Sequence, residues 1–194
     1  MSAGVPAKRG VCVYCGSSLG ADPRFAEAAD ELGAAIAGMG ARLVFGGGGR
    51  GLMGRVARAA MAKGGEVVGI IPRFLQEREE AAPEWSELVV VDDMHRRKQL
   101  MFERADAFVA LPGGVGTLEE LVEQLTWIQL DRHRKPVLIA DIAGFWRPLL
   151  ALLAHMRMAE FVRPEFDAPY LVAEKIADVP EMLTQVWNKP ARGR

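Results

Sequence analysis

The sequence predicts a single α/β domain built on a parallel, doubly wound sheet of about seven strands. Short runs rich in β-branched residues alternate with helical segments along the whole chain, and this order requires right-handed crossovers between parallel strands. Several runs are apolar on both faces, as in Val137-Leu138-Ile139-Ala140, which is typical of strands covered on both sides. The 194 residues suffice for one domain with a full core, residues 1–194, in which residues 1–9 are expected to be a disordered tail.

The individual elements follow from where these runs begin and end. The strands are expected at Gly10–Cys15, Ala41–Phe45, Glu66–Ile71, Leu88–Asp92, Asp106–Leu111, Pro136–Ala140 and Tyr170–Val172. The helices are expected at Pro23–Met39, Leu52–Lys63, Met94–Arg104, Thr117–Leu130, Phe145–Arg157 and Ala173–Trp187. The irregular, charged segment from Pro72 to Glu87 is either a lid or a surface connection. Because ligands bind at the carboxyl ends of strands in such a sheet, the loops after the first five strands are expected to converge.

Composition argues against several classes of partner. Half of the residues are hydrophobic, a quarter are charged and the formal net charge is −1, so the chain lacks the basic surface typical of proteins that bind nucleic acid or membranes. No apolar run reaches the ~18 residues of a membrane span, and Met1–Gly10 lacks the apolar core of a signal peptide. These observations predict a cytoplasmic protein with neither nucleic-acid nor membrane partners.

The two cysteines, Cys12 and Cys15, form an isolated C-x-x-C. A structural zinc site would need two more ligands, and the three histidines are scattered without ligand spacing. A redox pair of the thioredoxin type should open a helix, whereas this pair lies in a strand. Reduced, structural cysteines and no metal site are therefore expected.

The most informative stretch is the turn from Leu111 to Glu120, which reads Leu-Pro-Gly-Gly-Val-Gly-Thr-Leu-Glu-Glu and joins an apolar strand to an amphipathic helix. Its glycines let a ligand approach backbone N–H groups, and a phosphate binds at the N-terminus of the helix that follows. Glu119 and Glu120 lie one turn behind this position, where a carboxylate repels phosphate. The turn therefore predicts a nucleotide enzyme that acts on the sugar or the base.

The helix after this turn is expected to bury one stripe of residues at helical spacing, formed by Leu118, Leu121, Val122, Leu125 and Ile128. Glu120, Gln124 and Trp127 fall on an adjacent face, whereas Glu119 and Glu123 are expected to be more solvated. Glu120 is therefore the better candidate for a carboxylate at the edge of a pocket.

A second glycine cluster, Gly46-Gly47-Gly48-Gly49-Arg50-Gly51-Leu52-Met53-Gly54, follows the second strand. It satisfies the dinucleotide pattern G-x-G-x-x-G, but the next strand ends without the acidic residue that would hold the ribose, which argues against NAD. A tight turn with close helix packing accounts for one or two of the glycines but not for six. We favour a loop whose backbone passes close to a bound nucleotide, with Gly47 and Gly48 as candidate phosphate or ribose contacts.

Two further clusters allow more than one interpretation. Gly16, Ser17 and Ser18 follow the first strand and either contact a phosphate or ribose or cap the next helix. The run Met94-His95-Arg96-Arg97-Lys98-Gln99 opens a helix with cations that oppose the helix dipole. These cations either face an anionic partner or form a solvated face. Arg97 and Lys98 are expected to contact the ligand, and His95 is expected to be structural or to lie behind the site.

Together these motifs resemble the LOG (Lonely guy) family of cytokinin riboside 5′-monophosphate phosphoribohydrolases, which was long mislabelled as lysine decarboxylases. The resemblance covers nearly the whole chain. It is carried by Val13–Ser18, Leu43–Gly48, Gly51–Gly54, Met94–Lys98 and the family signature P-G-G-x-G-T-x-x-E at Pro112–Glu120. The segment Glu77–Glu84 departs from the version associated with plant members, which leaves the base specificity open.

The resemblance implies a Rossmann-like homodimer, without cofactor or metal, that hydrolyses the N-glycosidic bond of a cytokinin riboside 5′-monophosphate or AMP. The products are a free base and ribose 5-phosphate. The family's catalytic pair falls on Arg97 and Glu120. Its substrate contacts fall on Glu79, Arg97, Lys98, Gly113, Gly114, Val115, Gly116, Thr117, Leu118, Glu119, Glu120 and Thr126. A homodimer is also expected because the helices bearing Met101 and Trp127 carry apolar residues beyond one buried stripe.

Two other functions fit parts of the pattern. A non-catalytic carrier of the same fold, such as the molybdenum-cofactor carriers, needs the glycine loops but not Arg97 with Glu120. A PLP-dependent lysine decarboxylase needs a buried Schiff-base lysine with a partner for the pyridinium nitrogen, and neither Lys63 nor Lys98 has that setting. The presence of both Arg97 and Glu120 favours a hydrolase.

Overall fold

The structure is a computed structural model that describes residues 8–77, 85–162 and 170–189. Its strands are β1 (Gly10–Tyr14), β2 (Arg42–Phe45), β3 (Val67–Pro72), β4 (Glu87–Val91), β5 (Ala107–Ala110), β6 (Val137–Ala140) and β7 (Leu171–Ala173). Its α-helices are α1 (Pro23–Gly38), α2 (Gly51–Ala62), α3 (Arg73–Gln76), α4 (Met94–Arg104), α5 (Val115–Gln129), α6 (Arg147–Met158) and α7 (Val179–Asn188).

All seven strands pair in parallel in one sheet of order β4-β3-β2-β1-β5-β6-β7. This confirms the predicted α/β, Rossmann-like fold class. The strand order reverses beside β1, which pairs with both β2 and β5. The loops after β1 and β5 therefore flank the topological switch point, where ligands bind in sheets of this kind.

Each face of the sheet is covered by its own apolar layer. One layer joins α1, α2 and α7 to residues such as Phe45, and the other joins α4, α5 and α6 to residues such as Phe108. Side chains alternate between the faces along a strand, so Cys15 lies in the first layer and Cys12 in the second. Both thiols are buried and free, which confirms the prediction of structural, unpaired cysteines.

Three local predictions need adjustment. The irregular segment after β3 contains the short helix α3, while residues 78–84, and with them Glu79, lie outside the described ranges. The last helix begins at Val179, later than predicted, because β7 and a 3₁₀ turn (Ile176–Asp178) precede it. Of the expected tail, residues 1–7 lie outside the described ranges, whereas Arg9 packs its guanidinium 4.8 Å from the Trp187 ring.

The buried face of α5 differs from the predicted stripe. Leu121 and Leu125 are buried as expected, but Leu118 and Val122 are exposed. Thr117 and Gln124 occupy the buried face instead. The reason is that only one side of α5 faces the sheet, and its centre passes through Thr117, Leu121 and Gln124. The prediction of Leu118 and Val122 as buried was therefore wrong.

No helix in the described part of the chain has both the length and the apolar character needed to cross a bilayer.

Candidate functional site

Three loops meet at the carboxyl edge of the sheet. The Gly16 N–H donates to the Pro112 carbonyl at 3.0 Å, which joins the loop after β1 to the loop after β5. The Leu52 N–H, at the start of α2, donates to the carbonyls of Gly16 (3.1 Å) and Ser18 (3.3 Å), which joins the β1 loop to the β2 loop. The predicted convergence is confirmed for these three of the five loops.

The N-terminus of α5 is open to a ligand. Gly114 precedes the helix without a side-chain cap, and the first backbone bond of the helix runs from the Leu118 N–H to the Gly114 carbonyl. Among the described residues, no acceptor meets the N–H groups of Val115, Gly116 and Thr117. A Cβ added to Gly114 or Gly116 would meet no atom within 4 Å. Unpaired donors at the positive end of a helix form an anion site.

The N-terminus of α2 is closed, in contrast, by the loop after β1. Besides Leu52, the Met53 N–H donates to the Gly16 carbonyl at 3.3 Å. Gly51 has a φ of +57°, and a Cβ there would lie 2.3 Å from the Ser17 carbonyl carbon. These contacts leave no room for a pyrophosphate at this helix and agree with the argument against NAD.

Packing explains more of the second glycine cluster than the sequence suggested. A Cβ would lie 1.9 Å from Arg97 Nη2 at Gly46 and 2.0 Å from the Gly49 oxygen at Gly54. Together with Gly47, which has a φ of +79°, and Gly51, four glycines are required by backbone geometry or close contact. The expectation that packing accounts for only one or two was therefore wrong. Contacts from Gly47 and Gly48 to a nucleotide stay a prediction.

The loop after β1 does not cap α1. Asp22 caps that helix, since its Oδ1 accepts from the Arg24 N–H at 3.0 Å. The capping alternative for Ser17 and Ser18 was therefore wrong. Both serines are exposed beside the anion site, and their contact with a phosphate or ribose stays a prediction.

Arg97 is buried at the base of this edge, with 8% of its surface exposed. Its Nε donates to the Ile70 carbonyl at 3.2 Å and its Nη2 to the Gly46 carbonyl at 3.0 Å. Nη1 lies 3.7 Å from the Met94 sulfur. Two backbone carbonyls, one directly after β2 and one within β3, thus hold the guanidinium, and no carboxylate in the described ranges lies within ion-pair distance of it. The alternative of a solvated face was wrong for this residue.

Lys98 points toward α5 and is held by two carboxylates. Its Nζ donates to Glu119 Oε1 at 2.5 Å and to Glu123 Oε1 at 2.9 Å. Burial lowers the pKa of Lys98, but these hydrogen bonds outweigh it and raise the pKa overall. Glu119 is more exposed than Glu123, whose side chain is partly buried; that both are more solvated than Glu120 stays a prediction. The predicted contact of Lys98 with a ligand would have to compete with this pairing.

Glu120 has the most perturbed carboxyl group of the site. No hydrogen bond or ion pair reaches it from the described residues. Burial raises its pKa to about 7; the charges of Glu119 and Glu123 also raise it, and those of Arg97 and Lys98 lower it. The charge of Glu120 also raises the pKa values of Cys12, Tyr14 and Cys15, which lie in β1 or directly after it. Burial is the larger cause of each of these shifts.

This arrangement suits chemistry on a ligand that carries an anionic group. Glu120 follows Thr117 by three residues, about 4.5 Å along the helix axis from the anion site. A carboxylate with a pKa near neutrality can accept a proton at physiological pH. When ionised, it can also stabilise positive charge that develops on a bound ligand.

Some predicted contacts are not brought together with the rest. Thr126 is exposed, its hydroxyl donates to the Val122 carbonyl at 2.8 Å, and it lies about 14 Å along α5 from Thr117. His95, which was expected to be structural or to lie behind the site rather than to contact the ligand, is exposed at the start of α4. Conversely, sequence reasoning missed Trp85, whose indole N–H donates to the Gly47 carbonyl at 3.1 Å. No local pattern marks Trp85, since its partner lies 38 residues away.

The residues present do not fit a PLP site. All six lysines lie within the described ranges, and none of them is buried. Lys98 is the one nearest the site, and it is already bonded to Glu119 and Glu123. A Schiff-base lysine needs a desolvated amine without such partners.

Comparison with known proteins gives two kinds of likeness. Residues 53–183 match the family model described as "Possible lysine decarboxylase". The chain is 44% identical to the cytokinin riboside 5′-monophosphate phosphoribohydrolase of Rhodococcoides fascians, over 88% of this chain and 87% of that protein. It is 46% identical to the corresponding LOG7 protein of Arabidopsis thaliana, over 79% of this chain and 71% of that protein.

Among solved structures, the molybdenum cofactor carrier protein of Chlamydomonas reinhardtii superposes with a TM-score of 0.73 at 20% identity, over 95% of this chain and all of that one. The molybdenum cofactor binding protein of Rippkaea orientalis gives a TM-score of 0.72 at 20% identity, with the same coverage. At this identity the likeness shows the fold alone.

Proposed function

Because the chain belongs to the LOG family of cytokinin riboside 5′-monophosphate phosphoribohydrolases, we propose that it hydrolyses the N-glycosidic bond of a nucleoside 5′-monophosphate. The substrate is a cytokinin riboside 5′-monophosphate or AMP, and the products are a free base and ribose 5-phosphate. The observation that carries the proposal is the Glu120 carboxylate, which has no partner among the described residues, responds to the charge of buried Arg97 and lies in the second turn of α5, behind its open N-terminus.

In the proposed reaction the bond between C1′ and the base nitrogen breaks, and its electron pair leaves with the base. Positive charge develops on the ribose ring, as in glycoside hydrolysis. Ionised Glu120 stabilises that charge and takes a proton from the attacking water, whose oxygen bonds to C1′. The base takes up a proton as it leaves, so the atoms of one water molecule are shared between the two products.

Arg97 acts on this reaction through its charge. The guanidinium lowers the pKa of the Glu120 carboxyl against the effect of burial and so increases the ionised fraction at neutral pH. Its position also allows it to polarise the leaving base. A planar, permanently charged group held by carbonyls keeps its orientation better than a lysine would.

The phosphate supplies binding energy away from the reacting bond. We propose that the N–H groups of Val115, Gly116 and Thr117 bind the 5′-phosphate, with open space beside Gly114 and Gly116, while Gly113 packs closely against Thr117 and Gly16. Such remote binding positions C1′ against Glu120 and lowers the barrier of the chemical step.

We further propose a homodimer that acts in the cytoplasm. α5 exposes an apolar stripe along its length, including Val115 (83% exposed), Val122 and Leu130 (63% exposed). α6 has no buried residue. Such a face favours an isologous interface. In α4, the other helix that the sequence suggested for the interface, Met101 itself is 1% exposed and packs on the sheet. The free buried thiols suit a reducing compartment.

The proposal is tested by comparing AMP and an isopentenylated AMP with the matching nucleosides. We expect release of free base from the monophosphates and a much lower kcat/KM for the nucleosides, because the α5 N-terminus would lose its anion. Equal kcat/KM for both forms would contradict the assigned phosphate site. Tight binding of a nucleotide with no release of base from any monophosphate would favour a carrier.

A further inference from the structure

The position of Arg97 depends on two glycines, Gly46 and Gly47, whose backbone conformation is not fixed by side chains of their own. Its Nη2 donates to the carbonyl of Gly46, which belongs to the peptide joining Gly46 to Gly47. Neither residue has a side chain to pack, and glycine samples more backbone conformations than any other residue. A contact from elsewhere must therefore keep this carbonyl pointed at the guanidinium.

The indole of Trp85 supplies such a contact. Its Nε1–H donates to the Gly47 carbonyl at 3.1 Å, one peptide beyond the carbonyl that holds Arg97. Gly47 is also confined on its other side, since a Cβ there would lie 3.0 Å from Ile71 Cβ. The Gly46–Gly47 backbone is thus fixed between β3 and a single indole donor.

Trp85 is itself rigidly placed. It is 7% exposed and meets the Phe45 ring edge-on, with the centroids 5.4 Å apart. A Cβ on Gly69 would lie 3.2 Å from Trp85 Cδ1 and 2.9 Å from the Gly47 Cα. The close approach of Gly69 therefore lets both the indole and the glycine loop pack against β3.

From these contacts we infer that Trp85 is a positioning residue for the reaction, which orients Arg97 through the hydrogen bond to Gly47 and the carbonyl of Gly46. The expected effect on kcat rests on the proposed function. The expected effect on the orientation of Arg97 does not. Trp85 touches neither substrate nor reacting atoms; it acts through the backbone.

The test replaces Trp85 by phenylalanine, with Trp187→Phe as the matched control. Trp187 also donates its indole N–H to a backbone carbonyl, that of Asp106 at 3.4 Å, but at the amino edge of the sheet. A second form of the protein carries benzothienylalanine at position 85. This residue keeps the shape of the indole and replaces the N–H by sulfur, so it removes the donor without a cavity.

We expect both changes at position 85 to lower kcat by about ten-fold or more, and to move the acidic limb of the kcat/KM profile about half a pH unit upward or more. The shift follows because a displaced guanidinium no longer opposes the burial of Glu120. Trp187→Phe should leave kcat and the limb unchanged. A benzothienylalanine protein with wild-type kcat and limb, or the same shift in Trp187→Phe, would overturn the inference.

A readout without turnover separates this inference from the proposed function. The Glu120 carboxyl carbon is titrated by ¹³C NMR in the wild-type protein and the three altered forms, with Glu120→Gln to assign the resonance. A higher Glu120 pKa in both position-85 forms alone supports the positioning role even if no nucleotide is hydrolysed. An unchanged pKa in both refutes it, whatever the activity.

Discussion

At the scale of single residues, the site is organised by how three charged side chains are satisfied. Arg97 is bound by neutral carbonyls, Lys98 is bound by two carboxylates, and Glu120 has no partner among the described residues. Because an unpaired carboxyl in a buried position resists ionisation, Glu120 is the group whose proton can move near neutral pH.

Glu120→Gln should abolish most of the turnover. The change keeps the volume of the side chain and removes the charge that would face the developing cation. Loss of one such electrostatic contact lowers kcat by about 10²–10³-fold, or ~2.7–4 kcal/mol. Arg97→Ala should lose a similar amount, and the double variant should lose less than the sum. Release of base is measured under saturating nucleotide. Glu181→Gln on α7 is the matched control, and a Glu120→Gln protein that kept more than about a tenth of wild-type kcat would refute the mechanism.

The same carboxyl should make the protein less stable as the pH rises toward 7. Its pKa is 4.5 in an ordinary setting and about 7 in the fold. Between these values the folded chain binds a proton that the unfolded chain has released, so the free energy of unfolding falls as the pH rises. Glu120→Gln should therefore stabilise the fold at pH 8 by up to about 3 kcal/mol and hardly at all at pH 4.5. Urea denaturation at both pH values measures this; an equal gain at both would contradict the raised pKa.

At the scale of elements, two helix N-termini that look alike in sequence differ in the fold. Both follow glycine-rich turns at the carboxyl ends of strands. The first turn of α2 donates to the loop after β1, whereas the first turn of α5 meets no acceptor in the described ranges. We therefore place the proposed anion site at α5, whereas the glycines before α2 serve packing and hold Arg97.

Glycine also sets the distance between α1 and α2. A Cβ on Gly33 would lie 2.1 Å from the Val56 oxygen, whereas one on Gly38 would meet no atom within 4 Å. Gly33→Ala should therefore force the helices apart and cost about 1–3 kcal/mol of stability. Gly38→Ala should instead gain about 0.5 kcal/mol from helix propensity. Thermal denaturation of the two variants measures the difference, and equal melting temperatures would show that the helices adjust freely.

At the scale of the whole molecule, one face of the domain is unusually apolar. Exposed residues of α5 and α6 lie on the same side of the sheet, since both helices pack in the layer around Phe108. A polar sugar phosphate cannot cover such a surface, but a second copy of the chain can. The open end of α5 lies at the edge of this face.

Light scattering at micromolar concentration should give about twice the 21.1 kDa of one chain. Val122→Arg should shift this mass toward the monomer, because it places a charge in the apolar stripe of α5. Leu88→Arg is the control, since Leu88 is similarly exposed on β4 at the other side of the sheet. A monomeric wild-type protein, or equal dissociation by both substitutions, would count against an interface on α5.

The sequence by itself predicted the succession of strands and helices along the chain and the parallel sheet, and it proposed Glu120 rather than Glu119 as the carboxylate of the site. These depend on hydrophobic periodicity and glycine punctuation, which are local properties of the chain. The family signature at Pro112–Glu120 is equally local, and so could be recognised without coordinates.

Only the tertiary structure decided which partner each charge has and which helix end is free. Arg97 reaches a carbonyl 51 residues away, Lys98 a carboxylate 25 residues away, and Trp85 a carbonyl 38 residues away. Such pairings are set by how the loops approach one another at the sheet edge. The physical reason is that burial and hydrogen bonding depend on distance in space, whereas the sequence pattern records only distance along the chain.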